Sequence, residues 1–325
     1  MDNKEILLET VGLKKCFTVS NGPFRSRSLK AVDDLSLKIY KGETLGLVGE
    51  SGCGKSTAGR TILHLYRPTG GQVLFKGEPA DQDLASYRRQ TAMVFQDPYS
   101  SLNPRMRAAD VIAEPMDIHH TYQNAAQRYS RILHLMDMVG LNPEHANRYA
   151  HEFSGGQRQR IGIARALALD PAFLVCDEPV SALDVSIQAQ MVNLFDDLRQ
   201  KLHLTCLFIA HDLLVVRHIS DRIAVMYLGR LVELGRSNEI YENPMHPYTK
   251  SLISAVPIPD PHKARKNRRI LLSGDIPSPL CVPSGCPFRT RCPYAREICV
   301  RTAPKMRELV TGHFVACHRA EEVNG

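Results

Sequence analysis

The chain has 325 residues, of which 43% are hydrophobic and 23% are charged, a composition typical of a globular protein. Its first residues include acids and lack the basic segment and apolar run of a secretory signal, and no apolar stretch approaches the ~20 residues that span a bilayer. We therefore expect a soluble chain whose role at any membrane depends on a partner.

The formal net charge of +7 is concentrated near the C-terminus. Residues 256–325 contain twelve Lys and Arg against six Asp and Glu, and they hold nine of the 20 prolines. This shift in composition predicts a boundary near residue 256. The basic run at 262–269 has the charge that attracts nucleic acid or anionic lipid, but a solvated linker is the interpretation we prefer.

Short apolar runs alternate with helical patterns through the first 255 residues, which predicts an α/β fold with a parallel sheet. The runs at 43–49, 173–179 and 205–212 are predicted to be buried strands, and each ends in glycine or polar residues. In open α/β sheets, ligands bind at the carboxyl ends of the strands. The residues that follow these strands are therefore the candidates for a ligand site.

The first strand leads into a glycine-rich segment with the spacing of a phosphate-binding loop. This phosphate loop consists of Gly49, Glu50, Ser51, Gly52, Cys53, Gly54, Lys55, Ser56 and Thr57. Its backbone N–H groups are expected to converge on phosphate oxygens, with the positive end of the following helix dipole behind them. We predict that Lys55 neutralises the β- and γ-phosphates and that Ser56 ligates Mg²⁺. A turn without a ligand is the alternative, and we interpret Cys53 as a small spacer.

Two adjacent acids lie at the carboxyl end of the second strand. Asp177 is predicted to bind Mg²⁺ through water, and Glu178 to polarise the water that attacks the γ-phosphate. The alternative is that both acids cap the helix that follows. The phosphate loop upstream favours the catalytic interpretation, and the two motifs together predict a nucleoside triphosphatase.

A third motif indicates which nucleoside triphosphatases the chain resembles. Residues 152–167 read EFSGGQRQRIGIARAL, which is similar to the signature motif of the ATP-binding cassette family, with Phe153 in place of leucine. A Ser-Gly-Gly turn that opens a helix offers N–H donors and a hydroxyl to an anion. The resemblance implies that this turn contacts ATP held by an opposite subunit. This signature turn consists of Ser154, Gly155, Gly156 and Gln157.

The resemblance extends to further motifs, in order along the chain. Gln96 matches the residue that contacts Mg²⁺ and the attacking water and lies where the family meets its membrane partner. Asp184 matches a residue at the dimer interface, and His211 matches the histidine that contacts the γ-phosphate. Phe17 matches the aromatic side chain that stacks on adenine. For Phe17 and His211 taken singly, the alternative is a packed side chain.

The family resemblance implies a fold as well as a site. Residues 1–255 are expected to form the nucleotide-binding domain, with a RecA-like α/β core, a helical subdomain at about 97–165 and an antiparallel β subdomain. Residues 256–325 are expected to form a small Cys-rich C-terminal extension, which the sequence HPYT at 246–249 introduces.

Longer stretches of sequence indicate which branch of the family the chain resembles. FQDPYSSLNPR, PVSALDVS and NPMHPYTKSL resemble the ATPases of bacterial dipeptide and oligopeptide importers. This implies an ATPase that powers import through ATP-driven, head-to-tail closure of two cassettes. Nickel importers share the same ATPase type and are the nearest alternative. A soluble ATPase of this family that acts on nucleic acid or ribosomes is the alternative of a different class, disfavoured by the single cassette and the lack of a long insertion.

The branch also implies partners and a location. The expected partners are two transmembrane permease subunits, a second ATPase that is a paralogue or another copy, and, indirectly, an extracytoplasmic solute-binding protein. No nucleic acid partner is expected. The chain is expected to lie peripherally at the cytoplasmic face of the inner membrane.

Five of the nine cysteines lie within 37 residues of the C-terminal extension. In a reducing compartment such a group suggests a metal site rather than disulfides, and without a CxxC pair a zinc ribbon is disfavoured. Resemblance to the importer branch implies a [4Fe–4S] cluster. Its expected ligands are Cys286, Cys292, Cys299 and Cys317. We interpret Cys281 as a spare thiol, and zinc, with His313 and His318 nearby, and packed free cysteines are the alternatives.

Overall fold

The computed structural model describes residues 4–20, 26–181, 183–256 and 270–324. The described residues form two compact units. Unit 1 takes its described residues from Met1–Leu8, Ile39–Thr44 and Phe75–Ile209. Unit 2 takes its described residues from Glu9–Lys38, Leu45–Leu74 and Ala210–Gly325. The basic run at 262–269 lies outside the described residues, and the domain boundary near residue 256 stays a prediction.

Twelve strands are present in the described part of the chain. In chain order they are β1 (Ile6–Ser20), β2 (Ser26–Tyr40), β3 (Thr44–Val48), β4 (Gly70–Phe75), β5 (Glu78–Pro79), β6 (Thr91–Val94), β7 (Phe173–Asp177), β8 (Thr205–Ile209), β9 (Arg222–Tyr227), β10 (Arg230–Arg236), β11 (Arg307–Val310) and β12 (His313–Val315). The three strands predicted from the apolar runs are β3, β7 and β8.

The helices of the same described residues lie between and after these strands. In chain order they are α1 (Lys55–Ile62), α2 (Leu84–Gln90), α3 (Pro98–Ser101), α4 (Ala108–His119), α5 (Ala125–Met138), α6 (Gly155–Ala166), α7 (Val185–Leu202), α8 (Leu213–Ile219), α9 (Ser237–Glu242), α10 (Pro247–Ser254), α11 (Glu297–Arg301) and α12 (Ala320–Asn324), with short 3₁₀ helices at Pro143–Asn147 and Ala150–Glu152. No helix in the described ranges combines the length and the apolar character that crossing a membrane requires.

Unit 1 contains three parallel strands in the order β8-β7-β6. Every residue of β7 and β8 is buried, as expected for parallel strands that are covered on both faces. Val94 pairs with Cys176, and Asp177 pairs with Ile209. The carboxyl ends of the three strands therefore lie at one edge, which brings the residues after β6 and β7 side by side.

The segment between β6 and β7 is helical. It contains α3 to α6 and both 3₁₀ helices, and its residues, all of them described, include no strand. The helices α4, α5 and α6 bury apolar side chains such as Ile112, Leu135 and Ile163. This segment, 98–166, corresponds to the predicted helical subdomain.

Unit 2 contains five strands in the order β11-β12-β10-β9-β3. β3 runs parallel to β9, with Val48 opposite Val225, and the other neighbours are antiparallel. β12 pairs with β10, with Val315 opposite Glu233. The C-terminal extension thus adds strands to the sheet that contains β3. A second sheet of this unit has the order β2-β1-β4.

A buried carboxylate ties the C-terminal extension to this sheet. Glu233 is fully buried in β10 and accepts hydrogen bonds from the backbone N–H groups of Met245 and His246, at 2.7 and 2.9 Å. The Nε2 of His313 lies 2.7 Å from Oε1 of the same carboxylate. A buried carboxylate is stable only when its oxygens are satisfied in this way.

Candidate functional site

The phosphate loop lies between β3 and α1 in unit 2. Lys55, the first residue of α1, is 4% exposed. Its Nζ donates to the carbonyl oxygens of Gly49 at 2.8 Å and Glu50 at 3.2 Å. The side chain therefore folds back along the loop, and its ammonium group is held at the loop rather than in solvent.

Two glycines of the phosphate loop are required by backbone geometry. Gly49 and Gly54 have φ values of +155° and +108°. A Cβ at Gly49 would lie 2.2 Å from the carbonyl oxygen of Met226, and one at Gly54 would lie 2.0 Å from that of Ala31. Because the contacts are with backbone, no side chain can move aside, and the loop is shaped by close approach to neighbouring chain segments.

The loop's remaining contacts come from residues far along the chain. The N–H of Glu50 donates to the hydroxyl of Tyr248 at 2.8 Å, and the Glu50 carboxylate pairs with Arg291. Burial raises the pKa of the Cys53 thiol and so keeps it protonated. The sequence analysis did not predict Tyr248 and Arg291 as partners of the loop, although it identified the HPYT motif that contains Tyr248.

The acids of unit 1 lie at the strand edge described above. Asp177 is fully buried at the end of β7. Nε2 of Gln96, which follows β6, donates to Oε2 of Glu178 at 3.0 Å. Glu178 has a φ of +46°, an unfavourable value for a residue with a side chain, and its N–H donates to the carbonyl of Ile209 at 2.9 Å. Non-glycine residues held in this conformation are concentrated at functional sites.

The signature turn lies in unit 1 and opens α6. Exposed Ser154 is the N-cap: its hydroxyl accepts from the N–H of Gln157 at 3.4 Å, and the Gln157 side chain accepts from the N–H of Ser154 at 3.0 Å. This reciprocal capping box holds the turn with its own residues. A Cβ at Gly156 would lie 2.7 Å from Cγ2 of Ile187, so a side chain, not backbone, limits the space there.

Asp184 and His211 occupy two other helix entrances. Asp184 is the N-cap of α7, and hydrogen bonds from Ser186 and from the N–H of Ile187 lower the pKa of its carboxyl. His211 is exposed and follows β8 in the chain. Its neighbour Asp212 is the N-cap of α8. The helix that follows Asp177 and Glu178 is therefore capped by Asp184, which does not support the alternative that those two acids cap it.

Phe17 belongs to an aromatic pair in unit 2. It is half-buried, and its ring packs edge-to-face against Tyr66 at 5.4 Å. The ammonium group of Lys15 lies 5.0 Å from the Phe17 ring centroid and 5.7 Å from that of Tyr66. A half-buried ring with a cation above it is available to stack on a planar group. Sequence reasoning missed Tyr66 and Lys15.

The four cysteines of the C-terminal extension share one neighbourhood. Burial raises the pKa of Cys286 to about 12, and the thiols of Cys299, Cys317 and Cys292 add to this rise. All nine cysteines of the chain are free, and exposed Cys281 lies instead 3.7 Å from Nη1 of Arg27.

The described residues contain no group of three or more His, Cys, Asp or Glu side chains arranged to hold a metal ion, and the four cysteines predicted to bind a cluster are no exception. The two nearby histidines make other contacts: His313 contacts Glu233, and Nε2 of His318 lies 2.9 Å from the carbonyl oxygen of Thr302. The zinc alternative therefore receives no support from these histidines.

Two family models match the chain. Residues 32–181 match the model described as ABC transporter, and residues 232–299 match the model of the oligopeptide/dipeptide transporter C-terminal region. The second match includes the HPYT motif, Glu50's partners Tyr248 and Arg291, and three of the four clustered cysteines.

Several relatives are similar along almost the whole chain. The oligopeptide transport ATP-binding protein AppF of Bacillus subtilis is 53% identical over 323 residues, which cover 97% of this chain and 98% of AppF. The oligopeptide transport ATP-binding protein OppF of Haemophilus influenzae is 51% identical over 324 residues, with 97% of this chain and 98% of OppF covered.

The fold is similar to solved nucleotide-binding cassettes. The dimeric structure of a post-hydrolysis state of the ATP-binding cassette MJ0796 bound to ADP and Pi matches with a TM-score of 0.64 and 27% identity, covering 71% of this chain and 99% of that chain. A further dimeric structure of MJ0796, a bacterial ABC transporter cassette, has a TM-score of 0.63 and 28% identity, with the same coverage.

Proposed function

The chain belongs to the ATP-binding cassette transporter family, and we propose that it is the ATP-hydrolysing subunit of a membrane importer of oligopeptides. The predicted α/β fold with a phosphate-binding loop is confirmed by the likeness to solved cassettes. The relatives that match over nearly the full length carry oligopeptide transport in their names, and the matched C-terminal region belongs to the same transporters.

The observation that carries the proposal is the preformed phosphate loop. Its glycines lie against neighbouring backbone, and Lys55 is already held at the loop. Such a loop binds a triphosphate without first having to be ordered, so little conformational entropy opposes binding. We assign Lys55 to the β- and γ-phosphates, and Phe17, beside Tyr66, to the adenine.

The residues for metal binding and hydrolysis are assigned from their chemistry. Ser56 and Gln96 would supply the oxygen ligands that Mg²⁺ prefers, and Asp177 would bind the ion through water. When bound, Mg²⁺ neutralises charge that develops on the phosphate oxygens. Glu178 acts as the general base that accepts the proton of the attacking water, and Nε2 of Gln96 donates a hydrogen bond to its Oε2. His211 is assigned to the γ-phosphate.

The signature turn is assigned to nucleotide held by a second cassette. Ser154, Gly155, Gly156 and Gln157 form this surface, and Asp184 is assigned to the same dimer interface. The local capping box supports this role, because the turn keeps its shape without a ligand from its own subunit. Head-to-tail closure on ATP then couples hydrolysis to two permease subunits at the cytoplasmic face of the membrane.

Isolation of the intact complex tests this function. The full chain, tagged in its host and solubilised from membranes, is expected to bring with it two permease subunits and a second ATPase. A peptide-loaded solute-binding protein should raise the ATPase activity of that complex. Recovery of ribosomes or nucleic acid instead, with no permease, would contradict the proposal.

We also propose that Cys286, Cys292, Cys299 and Cys317 bind one [4Fe–4S] cluster. The thiols of Cys299, Cys317 and Cys292 lie close enough to Cys286 to help raise its pKa, and four thiolates are the donor set that this cluster requires. Ligation would remove the mutual repulsion of the thiolates and link segments of a small domain. The expected role is structural, and Cys281, which contacts Arg27, is not assigned as a ligand.

Anaerobic purification tests the cluster. The full chain should be brown, with about four irons and broad absorbance near 400 nm. Serine at any of the four cysteines should remove the colour, and Cys281→Ser, the matched control, should retain it. Colourless protein with one stoichiometric zinc would contradict the cluster and support zinc.

A further inference from the structure

Arg291 of the C-terminal extension pairs with Glu50 of the phosphate loop. Its Nη1 and Nη2 donate to the two carboxylate oxygens of Glu50 at 2.8 and 3.1 Å. The Arg291 side chain is 9% exposed and that of Glu50 is 22% exposed, so the pair is largely shielded from water. A shielded, two-point pairing of guanidinium with carboxylate is both strong and fixed in geometry.

A second contact from the same segment reaches the backbone of Glu50. Phe288, which is 1% exposed, packs against the rings of Tyr248 at 5.5 Å and Tyr227 at 5.3 Å. The Tyr248 hydroxyl accepts the N–H of Glu50. Residues 286–292 therefore hold Glu50 through its side chain and, by way of Tyr248, through its backbone.

Glu50 places a negative charge in a loop that is predicted to bind an anion. A bare Glu50 carboxylate would repel the phosphates that the loop is built to bind, and this repulsion is strong where water is partly excluded. Arg291 neutralises that charge. Arg291 also holds Glu50 in place, and the backbone carbonyl of Glu50 accepts a hydrogen bond from Nζ of Lys55. Displacement of Glu50 would therefore move the lysine as well.

We propose that Arg291 is a positioning residue for nucleotide binding. Acting through Glu50, it cancels a charge that opposes phosphate and holds the phosphate loop in its receptive shape. The C-terminal extension is thereby part of the nucleotide site, although Arg291 itself is not assigned to touch the nucleotide. This inference rests on the proposed ATPase function.

The test compares Arg291→Gln with Arg289→Gln in the full chain. Arg289 is the matched control, because its guanidinium bonds stay within the extension, to Ser284. Arg291→Gln should raise the Kd for MgATP, and the KM of the assembled complex, by about 10-fold. The kcat should stay within about twofold, since the reacting groups are untouched. Arg289→Gln should match the wild type in both constants.

A second substitution separates charge from general structural damage. Adding Glu50→Gln to Arg291→Gln removes the uncompensated carboxylate, and the Kd should return to within about threefold of the wild type. Were Arg291 merely a packing residue, the double variant would bind no better than Arg291→Gln. Arg291→Lys, which keeps the charge and loses the two-point geometry, should raise the Kd by about threefold and provides the test should Arg291→Gln not fold.

The outcomes distinguish this inference from the proposed function. If the wild type binds MgATP and Lys55→Ala does not, yet folded Arg291 variants bind as tightly as Arg289→Gln, the positioning role is wrong and the ATPase assignment stands. A folded wild-type chain that does not bind MgATP would overturn the ATPase assignment itself.

Discussion

The two glycine-rich turns of this chain share a chemistry but differ in what holds them. The phosphate loop depends on distant partners, since Ala31, Met226, Tyr248 and Arg291 all contact it. The signature turn is held by a capping box between Ser154 and Gln157. Both offer N–H groups at a helix start to an anion.

The difference indicates two kinds of binding surface. A loop held from several sides is rigid before the ligand arrives and suits the tight binding of a subunit's own nucleotide. A locally capped, exposed turn can be presented outward without support from the rest of the fold, which suits a ligand carried by another subunit. Substitutions that act on one turn and spare the other test this contrast.

The largest expected effect lies in neither turn. Glu178→Gln should leave ATP binding intact, because the amide keeps the size of the side chain, and should slow hydrolysis by the ~10²–10⁴-fold of a lost general base. The measurement is steady-state turnover in the assembled complex. Glu152→Gln, beside the signature turn, is the control and should hydrolyse normally. Near-normal turnover of Glu178→Gln would exclude Glu178 as the base.

Binding to the isolated chain should separate the two turns directly. Lys55→Ala removes a buried cation from the phosphate loop and should weaken MgATP binding by about 100-fold. Ser154→Arg should leave this Kd within about twofold, yet block closure and turnover of the complex, since a long side chain replaces a small hydroxyl. Calorimetry on the isolated chain measures both. Equal loss of binding in the two variants would contradict the assignment of the signature turn to a partner's nucleotide.

Added methyl groups should cost more in the phosphate loop than in the signature turn. At Gly54 a Cβ would meet backbone at 2.0 Å, whereas at Gly156 it meets a side chain that can rotate. We expect Gly54→Ala to lower the free energy of unfolding by about 3 kcal/mol and Gly156→Ala by about 1 kcal/mol. Urea denaturation measures both. A larger loss for Gly156→Ala would reverse the contrast.

Mild acid should weaken the contacts of His246 and Tyr248 that hold the phosphate loop, and it should leave the signature turn unaffected. Burial lowers the pKa of His246 to about 4, against the opposing effect of Glu233, and its Nδ1 accepts the N–H of Tyr248. Below pH 6.5 the unfolded chain takes up this proton before the folded chain does, so stability falls as the pH falls. The expected loss is about 1 kcal/mol between pH 6.5 and 5.5.

The control for this pH effect is His246→Gln, which keeps an acceptor for Tyr248 and does not titrate. Denaturant titrations at the two pH values should show a smaller loss of stability in this variant than in the wild type. An identical pH dependence would show that other groups are responsible.

The fold class and the motif residues could be predicted from sequence because each motif is a short run with its own geometry. Each motif consists of consecutive residues at the start of its own helix, so local spacing specifies its shape. The two motifs are residues 49–57 and residues 154–157. The end of β7 was also predicted from its apolar run, whereas β6 was not predicted. Gln96 and Glu178 meet because β6 pairs in parallel with β7.

Contacts between distant residues were not predictable in this way. His313 was considered beside the cysteines as a zinc ligand, but its ring pairs with Glu233, 80 residues away, as β12 joins β10. The contact between the rings of Tyr66 and Phe17 was not predicted either. Neither pair has a sequence spacing that signals contact, because each depends on how sheets and loops pack.

By itself the sequence determined the chemistry of the phosphate loop, since glycines, lysine and serine at fixed spacing suit one kind of ligand. It also determined that the C-terminal extension is rich in thiols. The tertiary structure decided that this extension reaches back to Glu50, through Arg291 and through Tyr248. Such contacts depend on burial and on the path of the chain over 241 residues, and no local pattern of residues encodes that path.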